Sequence, residues 1–187
     1  MSKEYTCLGL MSGTSGDGVD ASIIKSNGLD EFTILKDKYY EYNDDLFQEF
    51  HNIKKKINTA KPDALVTAPS TAAINALKRK NINKISIVTP YIKSVNDDVV
   101  NFFKKNNFEI TSNTYFDIES DVDIGKVDQE QLFEILSNLD HKNAEALFVS
   151  CTSLPVLNII EKLEKKLNMT VLSSNQALIW ETLENIN

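Results

Sequence analysis

Cys151 stands where a hydrophobic segment, ALFVS, gives way to one whose apolar residues have helical spacing. That second segment, SLPVLNIIEKLEKKL, predicts a helix over residues 153–167. Three backbone N–H groups would then lie at the helix N-terminus, those of Thr152, Ser153 and Leu154. The positive end of the helix dipole would lower the pKa of the thiol, and the N–H groups could bind a carboxylate or enolate oxygen. Such a cysteine can transfer a proton at carbon or attack an activated double bond. A buried apolar role at a strand end is the alternative.

Tyr91 follows a second hydrophobic strand, ISIVT, together with Thr89 and Pro90. The carboxyl ends of strands form the edge at which open α/β sheets bind ligands. The Tyr91 hydroxyl could donate to an oxyanion there, and Asn96, a few residues on, could cap a helix or bind substrate. Plain packing is the alternative for Tyr91.

The stretch MSGTSGDGVD, residues 11–20, is a glycine-rich turn after a short apolar run. Glycines let backbone N–H groups approach a phosphate closely, and neighbouring hydroxyls add donors. Only if this turn serves an ATP-dependent enzyme are Ser12, Gly13, Thr14, Ser15, Asp17 and Gly18 expected to hold the ATP phosphates, with Asp17 or Asp20 available to Mg²⁺ through water. The spacing is not that of a Walker loop, because no lysine follows. A tight hairpin turn is the alternative.

The elements that must position these residues change in pattern along the chain. Residues 1–58 are expected to form a β-β-β-α segment, with strands at 5–10, 19–25 and 32–42 and a helix at 44–57. From residue 63 onward strands and helices alternate, which is typical of an open parallel sheet with flanking helices. We therefore predict an α/β fold and a domain boundary between residues 58 and 59. The second part has strands at 62–68, 83–90, 108–116, 144–150 and 169–174 and helices at 69–80, 94–106, 128–139, 153–167 and 175–186.

Composition narrows the classes of function. The 187-residue chain carries a formal net charge of -7, which disfavours nucleic acid as a partner. No run of apolar residues is long enough for a membrane span. The two cysteines, Cys7 and Cys151, are expected to be buried, free thiols in a cytoplasmic protein. No Cys/His cluster has the spacing of metal ligands, and neither His51 nor His141 is expected to be catalytic.

Residues 64–187 resemble the Asp/Glu racemase superfamily, on its branch with maleate isomerase and arylmalonate decarboxylase. The similar segments are PSTAAINAL, ISIVTPYIKSVNDDVVNFF, DIGKV, ALFVSCTSLPVL and TVLSSNQALIW. The resemblance implies an α/β lobe in which Cys151 is catalytic and no cofactor is needed. It further implies that Tyr91 and the backbone after Cys151 hold a substrate carboxylate or enediolate. Ser70 and Thr71 would line the side that faces the other lobe.

Residues 5–57, through MSGTSGDGVD, resemble the opening of anhydro-N-acetylmuramic acid kinase, a member of the actin/hexokinase-like ATPases. This resemblance implies that the glycine turn is a phosphate loop for ATP with Mg²⁺ and that the acceptor is a cell-wall sugar. The catalytic aspartate and adenosine-binding domain of that family have no counterpart after residue 58.

Three hypotheses follow. The first is a cofactor-independent, cysteine-dependent isomerase, racemase or decarboxylase that acts next to a carboxylate of a small (di)carboxylic acid. Members of this superfamily have two lobes, and the front part of the first lobe, including its cysteine motif, is missing here, so that the first lobe is incomplete; Cys7 does not replace the missing cysteine. The second is an ATP-dependent sugar kinase fragment, and the third is a non-catalytic fusion remnant. The expected partner is a small carboxylic acid rather than nucleic acid or membrane, and a homo-oligomer stays open.

Overall fold

The computed structural model of the chain describes residues 4–12, 18–27, 32–41 and 66–186. It divides into two compact units, Met1–Ala64 and Leu65–Asn187. The boundary expected between residues 58 and 59 stays a prediction. In the described ranges no helix is long and apolar enough to cross a membrane.

The described part of the first unit is a three-stranded antiparallel sheet in the order β1-β2-β3. Its strands are β1 (Tyr5–Ser12), β2 (Gly18–Ser26) and β3 (Phe32–Glu41), as the sequence predicts. Large apolar side chains on these strands are exposed, among them Leu8 and Phe32. Cys7 is exposed as well, so the expectation that both cysteines are buried is wrong for this residue. The helix predicted at 44–57, with His51, lies outside the described residues.

The second unit alternates helices and strands. In chain order these are α1 (Pro69–Arg79), β4 (Lys84–Thr89), α2 (Lys93–Lys105), β5 (Glu109–Tyr115), α3 (Asp121–Gly125), α4 (Gln129–Asn138), β6 (Ala146–Val149), a 3₁₀ turn (Leu157–Ile159), α5 (Ile160–Leu167), β7 (Thr170–Ser173) and α6 (Ser174–Ile186). The four strands form a parallel sheet in the order β5-β4-β6-β7. The prediction of an α/β fold with an open parallel sheet and flanking helices is thereby confirmed.

The central strands β4 and β6 are buried on both faces, which explains their nearly unbroken apolar runs. One face packs against α3, α4 and α5, and the other against α1, α2 and α6. The first core includes Val88, Leu132, Leu147, Val149 and Leu163. The second includes Leu77, Ile85, Ile87, Phe103, Phe148 and Ala177. The sheet is therefore a rigid middle layer whose strand ends are held from both sides.

Three local features of the structure differ from the sequence predictions. The helix expected at 153–167 is shorter, because α5 begins only at Ile160 after the 3₁₀ turn. Pro155 accounts for the non-helical backbone at Leu154, since a proline disfavours helical backbone at the residue before it, and residues 157–159 then form a 3₁₀ turn instead of the first α-helical turn. The short helix α3 was not anticipated. Of the strand expected at 62–68, residues 66–68 lie in no helix or strand, and the others are outside the described ranges.

His141 belongs to a chain of hydrogen bonds that crosses the sheet. Its Nε2 lies 2.7 Å from the carbonyl oxygen of Leu136, and its Nδ1 lies 2.9 Å from Oγ of Ser86. The hydroxyl of Ser112 on β5 donates to the same Ser86 oxygen at 2.7 Å. The loop that leads into β6 is thus attached to β4 and β5 by polar contacts.

Phe148 tests the second core. Its ring is almost fully buried, and its centroid lies 4.9 Å from that of Phe103. We expect Phe148→Ala to lower the free energy of unfolding by about 3–5 kcal/mol, because the cavity cannot fully collapse. Ile135→Ala, on an exposed part of α4, is the control and should stay within about 0.5 kcal/mol of wild type. Urea denaturation followed by far-ultraviolet circular dichroism measures both; equal losses in the two variants would contradict this packing.

Candidate active site

Tyr91 and Cys151 lie close together at one edge of the parallel sheet, just beyond the carboxyl ends of two strands. Each lies two residues beyond the end of its strand, β4 for Tyr91 and β6 for Cys151, and these strands are parallel neighbours. The chain runs from β4 outward to β5 on one side, and from β6 outward to β7 on the other. The gap between β4 and β6 is therefore the switch point of the sheet, where open α/β sheets bind ligands beyond the carboxyl ends of the strands.

The segment after β5 holds the Tyr91 loop in place. The N–H groups of Phe116, Asp117 and Ile118 donate to the carbonyl oxygens of Thr89, Tyr91 and Pro90 at 3.1, 3.2 and 2.9 Å. This ladder extends the pairing of β4 with β5 beyond the strands. The tyrosine therefore stands on backbone that is tied to its neighbour rather than on a free loop.

Cys151 is buried and has a φ of 109°, which L-residues rarely adopt. Such strain persists only where the surroundings hold it, and it is concentrated at functional sites. Its N–H donates to Oγ of Ser174 at 3.2 Å, and its Sγ accepts from the N–H of Ser153 at 3.3 Å. The sulfur therefore faces a backbone donor that would stabilise a thiolate.

The N–H group that donates to the sulfur of Cys151 belongs to a turn, whereas the sequence predicts donors at a helix N-terminus. Thr152, Ser153 and Leu154 form bends between β6 and the 3₁₀ turn, and no helix begins there. The expectation that their N–H groups lie at a helix N-terminus is wrong. The turn itself, with its positive φ, aims the Ser153 N–H back at the sulfur of Cys151.

The Tyr91 phenol interacts with the side chains of Cys151 and Ser150. Burial raises the pKa of Tyr91, and the charge and hydrogen bond of Cys151 raise it further, while a hydrogen bond with Ser150 opposes the rise. Asp121, in the first turn of α3, contributes in the same direction as burial. Because its pKa lies above the usual range for tyrosine, Tyr91 stays a neutral hydrogen-bond donor through neutral and mildly alkaline pH.

Asn96 is buried in α2, and its Oδ1 accepts a hydrogen bond from Oγ1 of Thr89 at 3.0 Å. Its amide nitrogen has no partner among the described residues. Asn96 therefore packs beneath the carboxyl end of β4, and its amide nitrogen remains available to donate a hydrogen bond. Its predicted contact with a substrate stays a prediction.

Ser70 and Thr71 lie in the first turn of α1 and are exposed. Their predicted place on a surface facing a second lobe stays a prediction. In the glycine turn, Ser12 ends β1 and Gly18 begins β2, while Gly13, Thr14, Ser15 and Asp17 lie outside the described residues. Among the residues that the structure describes, no group of three or more His, Cys, Asp or Glu could hold a metal ion.

Sequence reasoning missed Ser150, Ser174 and Asn175. Ser174 accepts from the N–H of Cys151, and Asn175 donates from Nδ2 to the carbonyl oxygen of Thr152 at 2.9 Å. A signal was present, because Ser173 and Gln176 have the spacing of a helix capping box and so mark the start of α6. That start lies beside the end of β6 in the parallel sheet.

Comparison with known proteins places residues 40–187 in the arylmalonate decarboxylase family model. A maleate isomerase from Geobacillus stearothermophilus is 29% identical over 125 residues, which are 66% of this chain and 50% of that protein. The structure of a Nocardia farcinica maleate cis-trans isomerase mutant with a covalently bound succinylcysteine intermediate superposes with a TM-score of 0.69 at 21% identity, covering 75% of this chain and 58% of that one. The resemblance of residues 64–187 to this branch of the Asp/Glu racemase superfamily is confirmed.

A second relative matches a smaller part. The anhydro-N-acetylmuramic acid kinase of Pelagibacter ubique is 46% identical over 80 residues, which are 43% of this chain and 20% of that protein. This match supports the resemblance found in the N-terminal segment; an ATPase-type fold for that segment is not confirmed. The chain spans about half the length of the maleate isomerase it matches. The arylmalonate decarboxylase family model covers most of the chain and includes the loops at the switch point that carry Tyr91 and Cys151. The chain therefore belongs to the arylmalonate decarboxylase family.

Proposed function

We propose that the second unit carries the cysteine half of a cofactor-independent enzyme of isomerase, racemase or decarboxylase type. Its substrate is a small (di)carboxylic acid, and the reaction takes place at the carbon next to a carboxylate. The observation that carries the proposal is the pairing of Cys151 with Tyr91 at the switch point of the sheet. The maleate isomerases and arylmalonate decarboxylases that the chain matches work without a cofactor, in agreement with the sequence prediction.

Cys151 is the group that transfers the proton. Its thiolate, stabilised by the Ser153 N–H, takes the proton from the carbon next to the carboxylate, and an S–H bond forms as the C–H bond breaks. The electron pair passes into the carboxylate to give an enediolate. The thiol then returns a proton to the same carbon. Exchange of the thiol proton with water between the two steps allows the product to carry a solvent proton.

Tyr91 stabilises the intermediate in this scheme. The enediolate carries one more negative charge than the carboxylate from which it forms, and a protonated phenol can donate a hydrogen bond to it. The raised pKa of Tyr91 favours this role, because the phenol remains a donor at working pH. The half-buried Thr152 and Ser153 side chains and Asn96 are proposed to line the substrate carboxylates, with Ser70 and Thr71 at the open side.

The N-terminal segment supports a second candidate function. The 46% identity to a sugar kinase over 80 residues favours binding of ATP phosphates by residues 12–18. The match covers only 20% of that kinase, so we propose binding of nucleotide rather than turnover. The non-catalytic fusion remnant is the outcome in which neither activity is found.

Deuterium incorporation tests the role of Cys151. A malonate derivative with one α-proton, in deuterated buffer with the full chain, is followed by proton NMR. We expect Cys151→Ala to lower the exchange rate by about 10²–10⁴-fold, because the group that transfers the proton is lost. Cys7→Ala, at an exposed cysteine, is the matched control and should exchange at the wild-type rate. An unchanged rate in Cys151→Ala would falsify the assignment.

Tyr91→Phe tests the oxyanion donor in the same assay. Loss of the hydroxyl should reduce the exchange rate about 10²-fold at saturating substrate, since the enediolate loses a preorganised donor. Tyr115→Phe, at a partly exposed tyrosine that ends β5, serves as control and should behave as wild type. Equal rates for Tyr91→Phe and wild type would show that the phenol only packs.

Thermal unfolding with and without Mg²⁺-ATP tests the second candidate. A nucleotide that binds the native state raises the melting temperature, and the shift grows with ligand concentration. We expect a shift at millimolar Mg²⁺-ATP that Asp17→Asn and Gly13→Val diminish. If the melting temperature does not change at millimolar Mg²⁺-ATP, or at several times that concentration, the proposed binding of ATP phosphates is wrong.

A further inference from the structure

The first turn of α6 is fixed by a capping box. Oγ of Ser173 accepts from the backbone N–H of Gln176 at 3.2 Å, and Oε1 of Gln176 accepts from the backbone N–H of Ser173 at 3.1 Å. These reciprocal bonds satisfy two backbone donors that a helix start leaves open. Because Ser173 is also the last residue of β7, the helix leaves the sheet in one defined direction.

The next two residues of α6 reach the strained turn at Cys151. Ser174 is buried, and its Oγ accepts from the N–H of Cys151 at 3.2 Å. Nδ2 of Asn175 donates to the carbonyl oxygen of Thr152 at 2.9 Å. Hydrogen bonds therefore hold the backbone on both sides of Cys151, whose φ is 109°.

The contact of Asn175 reaches the sulfur through one peptide group. The carbonyl of Thr152 and the N–H of Ser153 belong to the same planar peptide, and that N–H donates to Sγ of Cys151 at 3.3 Å. An amide that holds the oxygen end of this peptide also sets the direction of its hydrogen. Hydrogen bonds in series polarise each other, so the Asn175 amide strengthens the donor that the sulfur receives.

We propose that Ser174 and Asn175 are positioning residues that hold Cys151 and its backbone donor in the reactive arrangement. The proposal rests on the function proposed for Cys151 and adds the residues through which α6 controls it. Neither side chain is assigned contact with substrate. They act by keeping the strained turn in place and by orienting the Thr152–Ser153 peptide toward the sulfur.

Alkylation of the full chain with iodoacetamide as a function of pH tests the proposal. Peptide mass spectrometry reports Cys151, with Cys7 as an internal reference in every sample. In Asn175→Leu a neutral side chain of similar size cannot donate to the Thr152 carbonyl, so we expect the Ser153 N–H to lose its direction toward the sulfur without any new charge at the site. We expect the midpoint of the Cys151 alkylation profile to move upward by about half a unit or more. Asn138→Leu is the matched control, because Asn138 also donates to a backbone carbonyl, that of Glu134, but away from the site.

Ser174 is tested in parallel. Ser174→Ala removes the acceptor for the Cys151 N–H and should shift the midpoint in the same direction, while Ser174→Thr keeps a hydroxyl and should restore it. Ser137→Ala is the control, since the hydroxyl of Ser137 is buried without a partner among the described residues. Urea denaturation of each variant shows whether the fold is retained.

The outcomes separate the two proposals. A shift in Asn175→Leu and Ser174→Ala, with controls and Ser174→Thr at the wild-type midpoint, supports the positioning role. Identical Cys151 profiles in all folded variants overturn it, and so does a shift that the two controls share. Failure of α-proton exchange in the wild type overturns the proposed function but leaves the alkylation profiles to decide the positioning role.

Discussion

The parallel pairing of β4 with β6 is the constraint on which the site depends. Its register places Val88 opposite Val149, and the two candidate residues, Tyr91 and Cys151, follow three and two residues later in the sequence. Both strands are buried on both faces, so neither can slide without moving two cores. The distance between Tyr91 and Cys151 is therefore set by backbone hydrogen bonds in the middle of the sheet. The first turn of α6 contacts the Cys151 turn directly, and the other helices contribute by packing on the two faces of that sheet.

Much of this arrangement could be predicted from the sequence, and the reason is the pattern of the strands. Fully buried parallel strands such as ALFV appear as short apolar runs, and the helices between them have clear amphipathic spacing. The residues that follow two such runs, Tyr91 and Cys151, were therefore identifiable. Their mutual contact was not, because sequence order does not state that β6 returns to the other side of β4 from β5.

The part that the sequence did not reveal is the local backbone at Cys151. Helical spacing predicts a helix directly after the cysteine, whereas Cys151 has a positive φ and α5 begins only at Ile160. The donor at the sulfur then comes from the turn at Cys151 rather than from a helix end. Conformations of this kind depend on partners distant in sequence, here Ser174 and Asn175 some 23 residues away. A single-sequence pattern has no means of connecting them.

The hydrogen bonds at His141 have a fixed direction. A carbonyl oxygen only accepts, so the contact with Leu136 requires a proton on Nε2, and in a neutral imidazole Nδ1 then accepts from Ser86. The Ser86 oxygen in turn receives the hydroxyl proton of Ser112. Every proton in the series therefore points the same way, from β5 through β4 to the end of α4. The segment that leads into β6, and so to Cys151, is aligned by an ordered line of dipoles that fits one tautomer of the neutral imidazole.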